Sequence, residues 1–130
     1  MEEFKVVVVD DSATMRMIIK KALVTQYEDY VEVLEFPNGK EFIEDVEEIK
    51  PDVVLLDWNM PQMDGYETLK VLKAKEEFQD TVVIMITAES KKDRVKMATK
   101  EGLTGYMIKP FDRKKFIDMM EEIIEHLNSK

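Results

Sequence analysis

The chain has 130 residues, 45% of them hydrophobic, and a formal net charge of −9, which suits a single folded domain spanning residues 1–130. The negative charge repels phosphate backbones and anionic lipid headgroups, so nucleic acid and membrane surfaces are disfavoured as partners. Cysteine is absent, which excludes disulfides and thiolate chemistry, and the N-terminus lacks the apolar length of a signal peptide, so we expect a cytoplasmic location.

Short apolar runs bounded by turn or capping residues predict five strands along the chain. These strands cover residues 6–9, 31–35, 53–56, 82–86 and 104–108. The runs VVVV, VVLL and VVIMI are apolar at every position, which indicates strands buried on both faces. We therefore expect the first, third and fourth strands inside the sheet and the second and fifth at its edges.

The segments between the strands have the spacing of amphipathic helices. The clearest apolar stripes occur in the first and last of them: Met15, Ile18, Ile19, Ala22 and Leu23, then Phe116, Met120, Ile123, Ile124 and Leu127. Three pairs place a capping oxygen three residues before an acid, which marks a helix start: Asn38 with Glu41, Asp64 with Glu67, and Ser90 with Asp93. Gly102 is predicted to end the fourth helix.

Strict alternation of strands and helices predicts an α/β fold with a parallel sheet and helices on both of its faces. Right-handed crossovers narrow the possible strand orders. Composition alone does not decide whether the first strand pairs with the third or the fourth.

Polar residues follow four of the predicted strands, at the rim where parallel α/β sheets bind ligands. They are Asp10, Asp11, Asp57, Asn59, Thr87 and Lys109. Each type taken singly is common in helix-capping loops. Together, however, three carboxylates on one rim would repel, by on the order of 4 kcal/mol for two charges about 4 Å apart at an effective dielectric near 20. A cation is therefore expected there.

A divalent ion together with Lys109 would neutralise three carboxylates. Oxygen ligands without histidine or cysteine favour a hard ion, Mg²⁺ before Mn²⁺. A carboxylate beside such an ion and a lysine is suited to attack phosphorus and to carry a phosphoryl group. Asp57 is the candidate nucleophile, Thr87 supplies a hydroxyl donor, and the small Ala88 leaves room for the incoming group.

The sequence resembles the receiver domains of two-component response regulators, in particular the single-domain CheY type of bacterial chemotaxis. The resemblance rests on four motifs in the family's order and spacing: VVVVDDSATMR, LLDWNMPQMDG, MITAES and GYMIKPF. It covers essentially the whole chain. It implies a flavodoxin-like, doubly wound (βα)5 fold whose five-stranded parallel sheet has the order 2-1-3-4-5.

The resemblance also implies roles for the rim residues. Asp57 would accept the phosphoryl group, and Thr87 and Lys109 would contact it. The metal ligands would be Asp11 and Asp57 directly, the carbonyl of Asn59, and Asp10 through water.

Further residues match family positions around the site. Tyr106 would be a switch that turns inward when Thr87 is drawn toward the phosphoryl group, and the Lys109–Pro110 peptide is expected to be cis. Asn59 and Glu89 would flank the phosphoryl group and tune attack by water, which indicates a short-lived modification.

Partners follow from the same resemblance. A CheA-like histidine kinase would be the phosphodonor, and an output protein such as a flagellar motor switch protein would bind helix 4, strand 5 and helix 5. The chain would be a monomeric signalling protein, not an enzyme in the ordinary sense, although it catalyses its own phosphorylation and dephosphorylation. The pair Ser12–Ala13 is smaller than the aromatic-containing segment of enteric chemotaxis proteins. The departure leaves the chemistry unchanged but affects the kinase and phosphatase contacts expected near helix 1.

The residues disfavour three alternative functions and leave a fourth open. A phosphatase of the haloacid dehalogenase type needs an aspartate two residues after the first, where this chain has Ser12. A flavodoxin-like flavin binder needs a phosphate loop that DDSATM does not resemble. A phosphorylation-independent interaction module would not need Asp57, Thr87 and Lys109 together. A receiver domain cut from a longer regulator with another output stays open.

Overall fold

The computed structural model describes residues 3–88 and 91–129, and its centre is a parallel sheet of five strands. The strands are β1 (Phe4–Val9), β2 (Val31–Phe36), β3 (Val53–Leu56), β4 (Val82–Thr87) and β5 (Gly105–Ile108). Their spatial order is β2-β1-β3-β4-β5, which confirms the order implied by the resemblance. The pairing of β1 with β3 settles the choice that composition left open.

The burial of the strands follows their position in the sheet. Every residue of β3 and β4 is buried, and β1 is buried except at Lys5, whereas β2 and β5 are largely half-buried or exposed. The prediction of three interior and two edge strands is therefore confirmed. Four bounds differ from the predicted ones: β1 begins at Phe4, β2 ends at Phe36, β4 ends at Thr87 and β5 begins at Gly105.

Five α-helices connect the strands and cover both faces of the sheet. They are α1 (Ala13–Tyr27), α2 (Gly39–Ile49), α3 (Gly65–Ala74), α4 (Lys92–Lys100) and α5 (Arg113–Asn128). Buried residues of α1 and α5 pack on one face, and those of α2, α3 and α4 pack on the other. Within residues 3–88 and 91–129, no helix combines the length and apolar character needed to cross a bilayer.

The helix-capping predictions hold for α2 and α3. The Asn38 and Asp64 side chains each accept the predicted backbone N–H bond, and Asp64 with Glu67 forms a complete capping box. Gly102 has a φ of +103° just after α4, as the predicted end of that helix requires.

The start of α4 differs from the prediction. The helix begins at Lys92, and Lys91 occupies the N-cap position without a side-chain capping bond. Ser90, the predicted cap, lies outside the described residues. The helix therefore begins one residue later than a cap at Ser90 would imply.

The apolar stripe of α1 is narrower than predicted. Ile19, Ala22 and Leu23 are buried against the sheet, and Met15 packs against the same cluster, but Ile18 is 48% exposed. Ile18 lies at the margin of the stripe, in a surface groove that it shares with Phe111 of the segment before α5. The spacing rule cannot separate the centre of a stripe from its margin.

Candidate functional site

The backbone places Asp10 and Asp57 side by side at the carboxyl end of the sheet. Strand hydrogen bonding continues one residue past β1, where the Asp10 N–H donates to the Phe36 carbonyl at 3.1 Å. It also continues past β3, where the Asp57 N–H donates to the Val9 carbonyl at 2.9 Å. Both aspartates are thus held by the sheet itself, although neither is in a strand.

Three carboxylates meet at this rim. One oxygen each of Asp10, Asp11 and Asp57 lies within 4.8 Å of the others. Asp10 and Asp57 are 2% and 7% exposed, whereas Asp11 is exposed. The cluster is therefore buried on the sheet side and open to water on the side of Asp11.

Lys109 supplies a positive charge from the end of β5. Its Nζ lies 2.7 Å from Oδ2 of Asp10 and 3.3 Å from Oδ2 of Asp57. Burial alone would lower the pKa of Lys109, but its hydrogen bond to Asp10 and the charges of Asp57 and Asp10 outweigh burial, so the pKa is raised. The lysine stays charged and neutralises one of the three carboxylates.

The remaining double negative charge fits a hard divalent ion. All three side chains offer carboxylate oxygens, the ligands that Mg²⁺ and Mn²⁺ prefer. Asn59, whose carbonyl was predicted as a further ligand, is exposed two residues after Asp57. The open side of the triad gives an ion access from solvent.

The other predicted site residues lie on β4, on β5 and in the connection after β4. Thr87 is fully buried at the end of β4, and Ala88 follows it at the surface. Tyr106 is half-buried, pairs with Met85 across β4 and β5, and packs against the cluster formed by α2, α3 and α4. Glu89 lies outside the described residues.

Two features at the backbone level bear on the same rim. The Lys109–Pro110 peptide is cis, as expected from the resemblance. The Lys109 N–H donates to the Thr87 carbonyl at 2.9 Å, which joins the ends of β5 and β4.

Trp58, which follows Asp57, is packed between two helices. It is 4% exposed and stacks on Tyr66 of α3, with ring centroids 5.6 Å apart and an angle of 6° between the rings. The guanidinium of Arg94 in α4 lies 5.8 Å from the Trp58 ring. The indole therefore contacts α3 and α4 at the residue next to the candidate nucleophile.

Two residues that sequence reasoning missed contact Asp10. Arg16 of α1 donates from Nη1 to the Asp10 carbonyl at 2.6 Å, and the Ser12 N–H donates to Oδ1 of Asp10 at 2.9 Å. Arg16 lies at the start of α1, where the helix dipole disfavours a cation. A basic residue at that unfavourable position, next to an acidic rim, was the signal available in the sequence.

The chain is similar to known proteins over most of its length. The family described as "Response regulator receiver domain" matches residues 6–121. The chain is 38% identical over 123 residues to a chemotaxis protein CheY homolog of Campylobacter jejuni, covering 92% of each sequence. It is 34% identical over 124 residues to chemotaxis protein CheY of Pseudomonas aeruginosa, covering 95% of this chain and 98% of that protein.

Among solved structures, the chain is similar to chemotaxis protein CheY4 of Vibrio cholerae. The TM-score is 0.85 at 26% sequence identity, and the match covers 93% of this chain and 98% of that one. The similarity therefore extends over almost the whole of both molecules.

Proposed function

Because the chain belongs to the response regulator receiver domain family, we propose that residues 1–130 form a single receiver that accepts a phosphoryl group on Asp57. It is a CheY-like signalling protein rather than a classical enzyme. The observation that carries the choice of Asp57 is its place in the triad, beside Asp10 and Asp11 and 3.3 Å from the Lys109 ammonium.

The phosphodonor of a receiver is a histidine kinase. An oxygen of the Asp57 carboxylate attacks phosphorus, the bond from phosphorus to the donor's histidine nitrogen breaks, and the nitrogen keeps the electron pair. Lys109 offsets negative charge on the transferring group, and the Thr87 hydroxyl donates to one of its oxygens. Water later hydrolyses the acyl phosphate and restores the carboxylate.

The triad and the Asn59 carbonyl would hold Mg²⁺, with Mn²⁺ as a substitute. Such an ion would supply positive charge that offsets the charge of the phosphoryl oxygens and lowers repulsion among the carboxylates. Asp11 is the one exposed carboxylate of the triad, so it is the residue through which metal binding is most simply tested.

The output of this receiver is the surface formed by α4, β5 and α5. Tyr106 is half-buried on β5, and Met97 of α4 and Ile108 of β5 are 44% and 42% exposed. Movement of Thr87 toward the phosphoryl group would leave space for Tyr106 to turn inward and would change this surface. The CheY relatives support a chemotaxis role in the cytoplasm, with a CheA-like kinase and a flagellar motor switch protein as partners.

Phosphorylation of Asp57 is tested by intact-protein mass spectrometry after treatment with acetyl phosphate and Mg²⁺. We expect one added phosphoryl group, lost on incubation and absent in EDTA. Asp57→Asn should abolish it, because the amide is not a nucleophile at neutral pH. Asp118→Asn is the matched control, since Asp118 is an exposed carboxylate on α5. Labelling of the Asp57→Asn protein to the wild-type level would show that the nucleophile lies elsewhere.

Metal binding is tested separately with Asp11→Ala. The variant removes an exposed carboxylate, so we expect it to fold normally and to need a much higher Mg²⁺ concentration for phosphorylation. Lys109→Ala should keep Mg²⁺ binding but impair signalling. Equal Mg²⁺ affinity in the wild type and Asp11→Ala would contradict the ligand assignment.

A further inference from the structure

The acidic triad has a second cationic neighbour in Arg16. We propose that Arg16 is a positioning residue for the metal site, because it fixes the peptide that joins Asp10 to Asp11 and thereby places the Asp11 carboxylate. The inference rests on the proposed Mg²⁺ site. It concerns Arg16, the last residue of the motif VVVVDDSATMR, for which the resemblance implies no role.

Asp10 and Asp11 are held in different ways. The Asp10 carboxylate accepts hydrogen bonds from the Ser12 N–H and from Lys109, at 2.9 and 2.7 Å. No hydrogen bond or ion pair to the Asp11 carboxylate occurs within residues 3–88 and 91–129, and the residue is exposed. The position of the Asp11 carboxylate therefore depends on the backbone conformation at that residue.

Arg16 acts on that backbone at the peptide before Asp11. The carbonyl of Asp10 and the N–H of Asp11 belong to one planar unit, so fixing the carbonyl oxygen fixes the plane. The Arg16 guanidinium donates to this oxygen at 2.6 Å, which is short for a charge-assisted bond. Rotation of the peptide would break the bond and swing the Asp11 carboxylate away from Asp10 and Asp57.

The guanidinium is itself oriented by β2. Its Nε lies 3.4 Å from Oε1 of Glu35, and Lys20 lies 3.6 Å from the other oxygen of the same carboxylate. The Arg16 side chain is 18% exposed and that of Lys20 is 49% exposed. Arg16 thus joins α1, the end of β1 and β2, whereas Lys20 pairs with Glu35 and, among the described residues, has no hydrogen bond or ion pair to Asp10.

Charge and position predict opposite effects of removing Arg16. A cation near three carboxylates weakens their attraction for Mg²⁺, so loss of the charge alone would tighten metal binding. Loss of the positional constraint would weaken it, because Asp11 would leave the ligand geometry. Lysine keeps the charge but is a single ammonium, which cannot reproduce a fork that bonds both the Asp10 carbonyl and Glu35.

The test is a Mg²⁺ titration of four proteins, followed by Trp58 emission and by calorimetry: wild type, Arg16→Lys, Arg16→Gln and Lys20→Gln. We expect both Arg16 variants to bind Mg²⁺ about tenfold more weakly, the lower end of the range for lost support of a metal ligand. Lys20→Gln removes a nearby charge and a Glu35 contact but not the bond to Asp10. It should stay within about twofold of wild type, as an exposed ion pair contributes little.

Thermal unfolding in EDTA, compared among the four proteins, shows whether the Arg16 variants fold as the wild type does. At saturating Mg²⁺ the variants should recover the wild-type rate of phosphorylation by acetyl phosphate, because Arg16 acts through the ion and does not touch the phosphoryl group. A merely structural role would lower stability without this selective change in metal affinity.

Tighter Mg²⁺ binding by Arg16→Gln with unchanged binding by Arg16→Lys would overturn the proposal and leave a simple charge effect. Equal weakening in Lys20→Gln and Arg16→Gln would overturn it as well. Absence of Mg²⁺ binding in the wild type would instead refute the proposed metal site, and the inference with it. The metal site and the role of Arg16 are both supported only if the wild type binds Mg²⁺ and the two Arg16 variants bind it more weakly.

Discussion

The two connections that leave the middle of the site differ in how firmly they are attached. The connection from β3 to α3, residues 57–64, contains Asp57, and the helix after it is anchored by its sequence. The Gly65 N–H donates to the Trp58 carbonyl at 2.7 Å, and the Asp64 capping box closes the first turn of α3. Thr68 is fully buried and donates to the Asp64 carbonyl.

The connection from β4 to α4, which begins after Thr87, leads to a more weakly attached helix. Lys91 caps α4 without a side-chain bond, and Ala98 is its only buried residue among those described. The described contact of α4 with the β3–α3 connection is Arg94 over the Trp58 ring. A helix with little burial is expected to move at a low free-energy cost.

The difference suits a switch. The proposed nucleophile must keep its geometry through repeated cycles of phosphorylation, whereas the element that reports its state must have two arrangements of similar free energy. The sequence meets both needs within the same layer of helices, by burying α3 and by leaving α4 largely exposed. Changes that loosen α3 or stiffen α4 test this interpretation.

The largest expected effect comes from Gly65→Ala. A Cβ there would lie 2.2 Å from the Asp57 carbonyl oxygen and 2.8 Å from the Trp58 Cα, and neither backbone atom can move without shifting the nucleophile. Alanine gains about 1 kcal/mol of helix propensity. Overpacking against backbone costs about 3 kcal/mol or more, which exceeds the gain in helix propensity. Urea unfolding should show the loss of stability, and Mg²⁺ affinity should fall with it.

Gly102→Ala, after α4, is the matched control for Gly65→Ala. The φ of +103° is strained for alanine, but the nearest atoms are methylenes of the Lys73 side chain at 3.3 Å rather than backbone atoms. We expect a cost of about 1–2 kcal/mol from backbone strain and an unchanged Mg²⁺ affinity. A larger loss in Gly102→Ala than in Gly65→Ala would reverse the comparison.

The next effect concerns Lys109, which follows β5 and joins the two connections: its Nζ bonds Asp10 and Asp57, and its N–H bonds the Thr87 carbonyl. Lys109→Met should lower the free energy of unfolding by about 2 kcal/mol in EDTA at neutral pH, less than for a fully enclosed ion pair because the rim is open. Mg²⁺ should stabilise the variant more than the wild type, since it replaces the missing positive charge. Lys114→Met, which removes an exposed partner of Asp118, should change little.

The pH dependence of this effect has a definite sign. The pKa of Lys109 is raised in the folded state, so its contribution is complete below the unfolded pKa and is lost as pH rises through the folded pKa. The stability difference between wild type and Lys109→Met should therefore shrink above about pH 10.5. Tyr27, whose pKa is raised by burial and by Glu121, titrates alike in both proteins and cancels in the difference. A difference constant up to pH 12 would contradict the ion pair.

The fold was predictable because a strand that is buried on both faces is apolar at every position. Val53 to Leu56 can only be a central strand in an alternating α/β chain, and Asp57 must then lie at the rim with Asp10. The strand order needed the resemblance, since apolar runs do not say which neighbour they pair with. The pairing of β1 with β3 is a property of the assembled sheet.

The grouping of Asp10, Asp11, Asp57 and Lys109 at the rim was predictable from the sequence, but the bonds among them were not. Which carboxylate Lys109 bonds more closely depends on rotamers in the folded rim, where Asp10 at 2.7 Å is nearer than Asp57 at 3.3 Å. The Arg16 bond to the Asp10 carbonyl joins a side chain to backbone six residues away and has no signature in spacing. The Lys91 cap was missed for a related reason, because lysine offers no capping oxygen to recognise.

The smallest effects come from the helix caps, and they act on one helix at a time. Asp64→Ala removes the bond to the Glu67 N–H, 2.8 Å long, and should cost about 1 kcal/mol and speed amide hydrogen exchange in α3. Lys91→Asp supplies α4 with a capping oxygen and should slow exchange there, with a gain of at most about 1 kcal/mol.

Lys92→Asp separates the two sources of the gain in Lys91→Asp. It makes the same change of charge one residue further on, inside the helix, so it keeps the interaction with the helix dipole but cannot form the capping bond. Slower exchange in Lys91→Asp than in Lys92→Asp would show that α4 lacks a cap, not merely a negative charge. Because exchange measures local opening, a gain confined to α4 would locate the weak attachment in that helix. Equal exchange in α3 and α4 of the wild type would mean that the two helices are equally stable, and the contrast between the two connections would fail.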